Sequence, residues 1–223
     1  MISISEIRER SVDLAAHGDV LIQHSENYYA LSQAVAEARA RTGDRARMLT
    51  RQAVGSEIVS RLYRLIKNDS DAWNYPWLIN HLKGDELLEK LMPTFNHDGR
   101  KTFRELIQLR DEVLSLFDKV ASSLEFQKLS VYRQKFVGHR VPKPRDLRKF
   151  SPEADVVELS SSELRWLTDV LSVIADRTAY MIDRSSFPAD QIAHMAQDEA
   201  HALWDLPAPE NRKSLKDVYG QTD

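Results

Sequence analysis

The run YRQKFVGHR places an arginine and a histidine, Arg133 and His139, six positions apart, with Gly138 directly before the histidine. A neutral imidazole, with an ordinary pKa near ~6.5, can take a proton from a ribose 2′-hydroxyl or return one to a leaving oxygen. A guanidinium can grip a phosphate and stabilise charge building on its oxygens. The Gln134 amide can add a hydrogen bond. Residues of these types suit phosphodiester cleavage in RNA without a metal. Their spacing is awkward on one helix, because six residues turn the chain by ~600° and leave the two side chains ~120° apart and ~9 Å apart along the axis. Two devices can still bring them to one substrate. Gly138 can release the backbone from helical geometry, or two copies of the segment can meet across a dimer axis. An Arg and a His at this spacing also occur by chance at the ends of helices that only pack.

The charge pattern around the run is uneven. From Lys128 to Lys149 the chain carries eight bases (Lys128, Arg133, Lys135, Arg140, Lys143, Arg145, Arg148 and Lys149) and one acid, Asp146, a net +7 in a chain whose total is −3. The remainder is therefore −10, an acidic body with one basic segment able to hold a polyanion locally. A solvated charged loop would show the same composition.

The elements that must position this segment read as helices. The 223 residues suffice for one generous domain, with 42% apolar residues to fill a core and only seven glycines. Leu, Ala, Arg, Glu, Gln and Asp dominate over β-branched runs, and no hairpin dipeptide separates alternating stretches. A first helical region is expected from about Ser5 to Arg41, with Gly18 as a candidate interruption, and a second from about Asp44 to Lys67. Asn68 to Asp71 then reads as a turn, and AWNYPWLINHL as a short helical piece limited by Pro76 and ended by Gly84. After Pro93 and Asp98-Gly99, the pairs Thr102/Glu105 and Ser160/Glu163 have capping-box spacing ahead of long amphipathic patterns. Leu129, Tyr132 and Phe136 mark the segment bearing the Arg/His pair, and Pro142 and Pro144 stop it. Pro188 opens a last short helix ending near Trp204. The expected fold is all-α, an antiparallel bundle of four to five long helices with short accessory helices, spanning 1–206, with 207–223 a polar and flexible tail.

The chain has no cysteine, so disulfides and thiolate metal sites are excluded and a reducing compartment is the natural home. The segment MISISEIRERS carries charges where a signal peptide needs an apolar stretch, and no window approaches the ~18 apolar residues of a membrane span. A cytoplasmic protein is the expectation.

With its flanking helix and prolines, YRQKFVGHR resembles the signature of the HEPN superfamily, an arginine followed after four to six residues by a histidine late in a small helical bundle. The likeness is to the abortive-infection U-type branch, which Arg133, Lys135, Phe136, Val137, Gly138, His139 and Arg140 fit, and whose second helix ends in a phrase similar to EIVSRLYRLIKNDSD. The resemblance spans about Ser25 to Met181, though only the nine-residue run is specific. It implies a helical bundle that forms a homodimer, with the two motifs lining a shared cleft. It also implies a metal-independent endoribonuclease of toxin–antitoxin or phage-defence type, without cofactor and silenced by an antitoxin protein. On that carry-over His139 is the acid/base and Arg133 holds the scissile phosphate, while Gln134, Lys135, Arg140 and Lys143 contact the RNA backbone. The alternative is a non-catalytic module on the same scaffold that binds RNA, a nucleotide or a partner protein.

Two other clusters have residue types that could form a site. His194, Asp198 and His201 share a helix face at i, i+4 and i+7, but a metal would need a further ligand that the sequence does not supply, and a polar surface helix explains them more simply. Trp73, Tyr75 and Trp77 could stack bases, although such clusters more often pack.

Overall fold

The computed structural model describes residues 3–37, 44–67, 74–133, 159–185, 187–209 and 214. Among them are eight helices and no strand: α1 (Ile4–Glu37), α2 (Asp44–Ile66), α3 (Tyr75–Leu82), α4 (Asp85–Phe95), α5 (Phe103–Ala121), α6 (Leu124–Tyr132), α7 (Ser161–Asp183) and α8 (Ala189–Leu203). The all-α class is as the sequence indicates.

Local chemistry explains where these helices begin. Glu105 N–H donates to the Thr102 hydroxyl at 3.2 Å while Thr102 N–H donates to the Glu105 carboxylate at 2.7 Å. Ser160 and Glu163 repeat the exchange at 3.1 and 2.8 Å ahead of α7. Each box satisfies two donors that a helix start otherwise leaves open. Asn74 caps α3 by accepting the Trp77 N–H at 3.0 Å, and Pro76 falls in the first turn, where a missing N–H costs nothing. Asn68 to Asp71, read as a turn, lie outside the described residues.

Two residues that often break helices lie inside them, Gly18 against expectation. Gly18 does not interrupt α1. It lies under the Phe187 ring, where an added Cβ would make ordinary contact at 3.5 Å. Pro93 does not end a helical stretch but sits in the last turns of α4. Pro93 and Glu89, whose carbonyl loses its donor there, are both exposed, so water can take the place of that hydrogen bond.

Helix α7 is the axis of the bundle. Every residue from Leu167 to Asp176 is buried, so all its faces are covered. Helix α1, ~50 Å long at 1.5 Å per residue, runs antiparallel beside it. The ion pairs Arg8–Asp183 at 2.5 Å and Glu26–Arg165 at 2.9 Å fix that direction, since one residue number rises as the other falls. Helix α5 joins α7 through Glu112–Arg177 at 3.4 Å, and α4 joins α5 through Asp85–Arg110 at 2.6 Å. Helices α1 and α2 approach closely at Gly55, where a Cβ would stand 2.8 Å from the Tyr28 ring, so any larger residue would have to displace that ring. Tyr75 sits at the centre, 1% exposed, and donates its hydroxyl to the Leu171 carbonyl at 3.0 Å. No helix among the described residues is long and apolar enough to cross a membrane.

Beyond α8, the Leu206 N–H donates to the His201 carbonyl at 2.9 Å and the Ser214 hydroxyl to Asp190 at 2.6 Å.

Candidate functional site

Helix α6 is nine residues long and begins at a Ser123 cap, whose hydroxyl accepts the Phe126 N–H at 3.0 Å. So short a helix has little stability of its own and takes its position from tertiary contacts. Leu129, with no exposed surface, anchors it in the core. Lys128 ties it to the start of α7 through Glu163 at 2.5 Å.

Arg133 stands at the C-terminal cap of α6. Its backbone is still helical, at φ −59° and ψ −44°, and its N–H donates to the Leu129 and Ser130 carbonyls. Its guanidinium lies 4.7 Å from the centre of the Tyr63 ring on α2. The ammonium of Lys67, one turn further along, lies 5.5 Å from the same ring centre. Both distances are within cation–π range, worth about 0.5–1 kcal/mol each at an accessible site. Neither cation has a carboxylate within ion-pair distance among the described residues. Through the shared ring the two charges are at most about 10 Å apart. At that distance they repel by ~0.4 kcal/mol in water and by more where the protein excludes it. An anion placed between them would relieve that repulsion.

Tyr63 also lines a groove of ≈500 Å³ between the C-terminal halves of α2 and α5, helix α3, and α6. Phe117, Phe126, Pro76 and Ile79 provide apolar walls, and Lys67, Lys83 and Asp118 provide the charges. Lys83 likewise has no carboxylate within ion-pair distance among the described residues. Among the described residues, two cations and one carboxylate line this aromatic-walled groove, and Arg133 shares the Tyr63 ring with it.

Of the residues picked out in the sequence, the structure thus places Arg133. Gln134, Lys135, His139, Arg140 and Lys143 lie outside the described residues. Tyr63, Lys67, Lys83 and Phe126 were not singled out as site residues. The one available signal was that Tyr63 and Lys67 occupy i, i+4 positions within the phrase EIVSRLYRLIK.

The rival sites look structural. His194 donates its Nδ1–H to the Asp190 carbonyl and is exposed, whereas His201 is buried and donates Nδ1–H to the Pro207 carbonyl, both at 2.7 Å. The two rings therefore serve different surroundings, and no cluster of three His, Asp or Glu among the described residues is arranged to hold a metal. Tyr75 is core, and burial pushes its phenol pKa far above the ordinary value. Trp77 lies beneath the Arg10 guanidinium at 3.8 Å, and Trp73 falls outside the described residues.

His24 is part-buried between α1 and α2. Burial, and then the Arg61 charge, hold its pKa below 6.5, against an opposing pull from Glu57. Its Nδ1 is buried without a hydrogen-bond partner.

No family model matches the chain, and neither a curated protein nor a solved structure is similar to it.

Proposed function

We propose that the chain is a metal-independent endoribonuclease of HEPN type, a toxin or phage-defence component, acting as a homodimer. His139 is the general acid/base, Arg133 holds the scissile phosphate, and Gln134, Lys135, Arg140 and Lys143 bind the RNA strand. The observation that carries this is the setting of Arg133. Its guanidinium is oriented by the Tyr63 ring, not neutralised by a carboxylate among the described residues, and stands beside a groove with two further cations. Other arginines of the bundle spend their charge on acids, as Arg165 does with Glu26 and Arg177 with Glu112. An arginine kept for phosphate needs orientation and an open charge. The bases following Arg133 in sequence extend the same positive potential.

The test compares wild type, Arg133→Ala and His139→Ala on total RNA with chelator present. Cleavage by wild type alone, insensitive to chelator, is the expected result. Identical RNA after all three proteins refutes cleavage. Salt-sensitive RNA retention by all three would then favour the non-catalytic binding module, which the same cationic groove supports.

A further inference from the structure

We propose that the groove between α2, α3, α5 and α6 is a nucleotide subsite that takes one unpaired base of a single-stranded RNA, an inference that rests on the RNA-directed reading of Arg133.

The shape and lining suit that occupant. The volume of ≈500 Å³ lies in the range of small-ligand clefts and admits a single nucleotide, not a duplex. Phe126 is the lining aromatic that stays half-buried, while Phe117 and Tyr63 are only 7% and 8% exposed. The Phe126 ring is therefore the surface left for a base to stack upon. Asn80, exposed on the wall, offers an amide able both to donate and to accept at a base edge. A phosphate has its own place. Lys67 on the groove wall and Arg133, which approaches the same Tyr63 ring, lack acidic partners among the described residues, so each offers a cation to a phosphate at this end of the groove.

The charge balance selects the occupant. A wholly apolar ligand would bring no anion to Lys67 and Lys83, and a simple anion such as phosphate would leave the aromatic walls uncovered. A nucleotide satisfies both features. Duplex RNA keeps its bases paired and stacked, so it cannot fill the groove without being opened.

The subsite is tested in the full chain carrying His139→Ala, so that bound RNA persists. Anisotropy of a short fluorescein-labelled single-stranded oligoribonucleotide is read against salt, alongside its duplex and the four ribonucleoside 5′-monophosphates as competitors. Ala121→Trp and, separately, Ser130→Trp plug the groove from α5 and α6; Ala121 is exposed, so its replacement leaves the core intact, and circular dichroism verifies helix content. Each plug is expected to weaken single-strand binding at least tenfold. Lys67→Ala is expected to lower the slope of log affinity against log salt by about 0.7 for one lost phosphate contact. Unchanged single-strand binding in both folded plug variants overturns the subsite. Equal affinity for duplex and single strand also overturns it, as does a plug that alters subunit number in place of RNA binding, which would assign the groove to a second copy of the chain. Failure of cleavage in the wild type refutes only the catalytic reading, because binding and its sensitivity to the plugs are measured without turnover.

Discussion

Replacing Glu163 by glutamine tests whether α6 is held in place by the start of α7. One carboxylate oxygen accepts from Lys128 Nζ at 2.5 Å, and the other accepts from the Ser160 N–H at 2.8 Å and its hydroxyl at 2.9 Å. Burial alone would raise the carboxyl pKa. The Lys128 ammonium and the two Ser160 donors outweigh it and bring the pKa below 4.5. Glutamine keeps the shape and loses the charge. The lysine pair, with side chains 27% and 21% exposed, is worth about 0.5–1 kcal/mol after solvent screening. Converting the cap bonds from charge-assisted to neutral costs a further ~0.5–1 kcal/mol. A total of ~1–2 kcal/mol corresponds to a fall of ~0.5–1 M in the urea midpoint, for a slope of ~2 kcal/mol/M. The pH dependence supplies the sharper check. A carboxyl whose folded pKa is depressed contributes its stability above the unfolded value, near 4.5, and loses it as pH falls through the folded pKa. The gap between wild type and Glu163→Gln is therefore full at pH 7 and narrows below about pH 4.5. A Lys128→Met variant, combined in a double-mutant cycle, separates the pair from the cap. An equal gap at pH 7 and at low pH would refute the electrostatic account, and no gap at pH 7 would refute the anchoring of α6 by this carboxylate.

Two other outcomes are expected. Protonation of His24 is opposed by burial and by Arg61, so the unfolded chain binds that proton first and stability falls as pH drops through about 6.5; His24→Gln should flatten the change in urea midpoint between pH 8 and 5.5. Tyr75→Phe removes the hydroxyl bonded to the Leu171 carbonyl and should cost about 1–1.5 kcal/mol, a Tm loss of roughly 2–6 °C by calorimetry with helix content unchanged.

The two capping boxes could be read directly from the sequence because their chemistry is complete within four residues. The all-round burial of α7 could not. Thr168, Asp169, Ser172 and Asp176 look like a polar face, yet all are buried. The hydroxyls of Thr168 and Ser172 donate to the Leu164 and Thr168 carbonyls at 3.0 and 2.8 Å, so they enter the core with their donors satisfied. Helix α4 was not marked in the sequence; it tolerates Pro93 because in a solvent-facing turn the lost hydrogen bond is readily replaced. At the site, Arg133 stood out through its residue type and neighbours. Its stacking on Tyr63 did not, because that contact depends on how α6 docks against α2, which no local pattern encodes.

That docking also changes how the basic segment should be counted. Of the eight bases between Lys128 and Lys149, Lys128 is paired with Glu163 and so adds little to the field an RNA strand would meet. The usable excess begins at Arg133 and is +6, from seven bases and Asp146. Lys128 and Arg133 thus divide the work at two ends of one short helix. The first spends its charge on holding α6 to the bundle, and the second stands over Tyr63 with no carboxylate at ion-pair distance among the described residues. If the chain binds RNA as proposed, neutralising Lys128 should lower stability with little effect on the salt slope of that binding, whereas neutralising Arg133 should lower the slope as well as removing the ~0.5–1 kcal/mol of its contact with Tyr63.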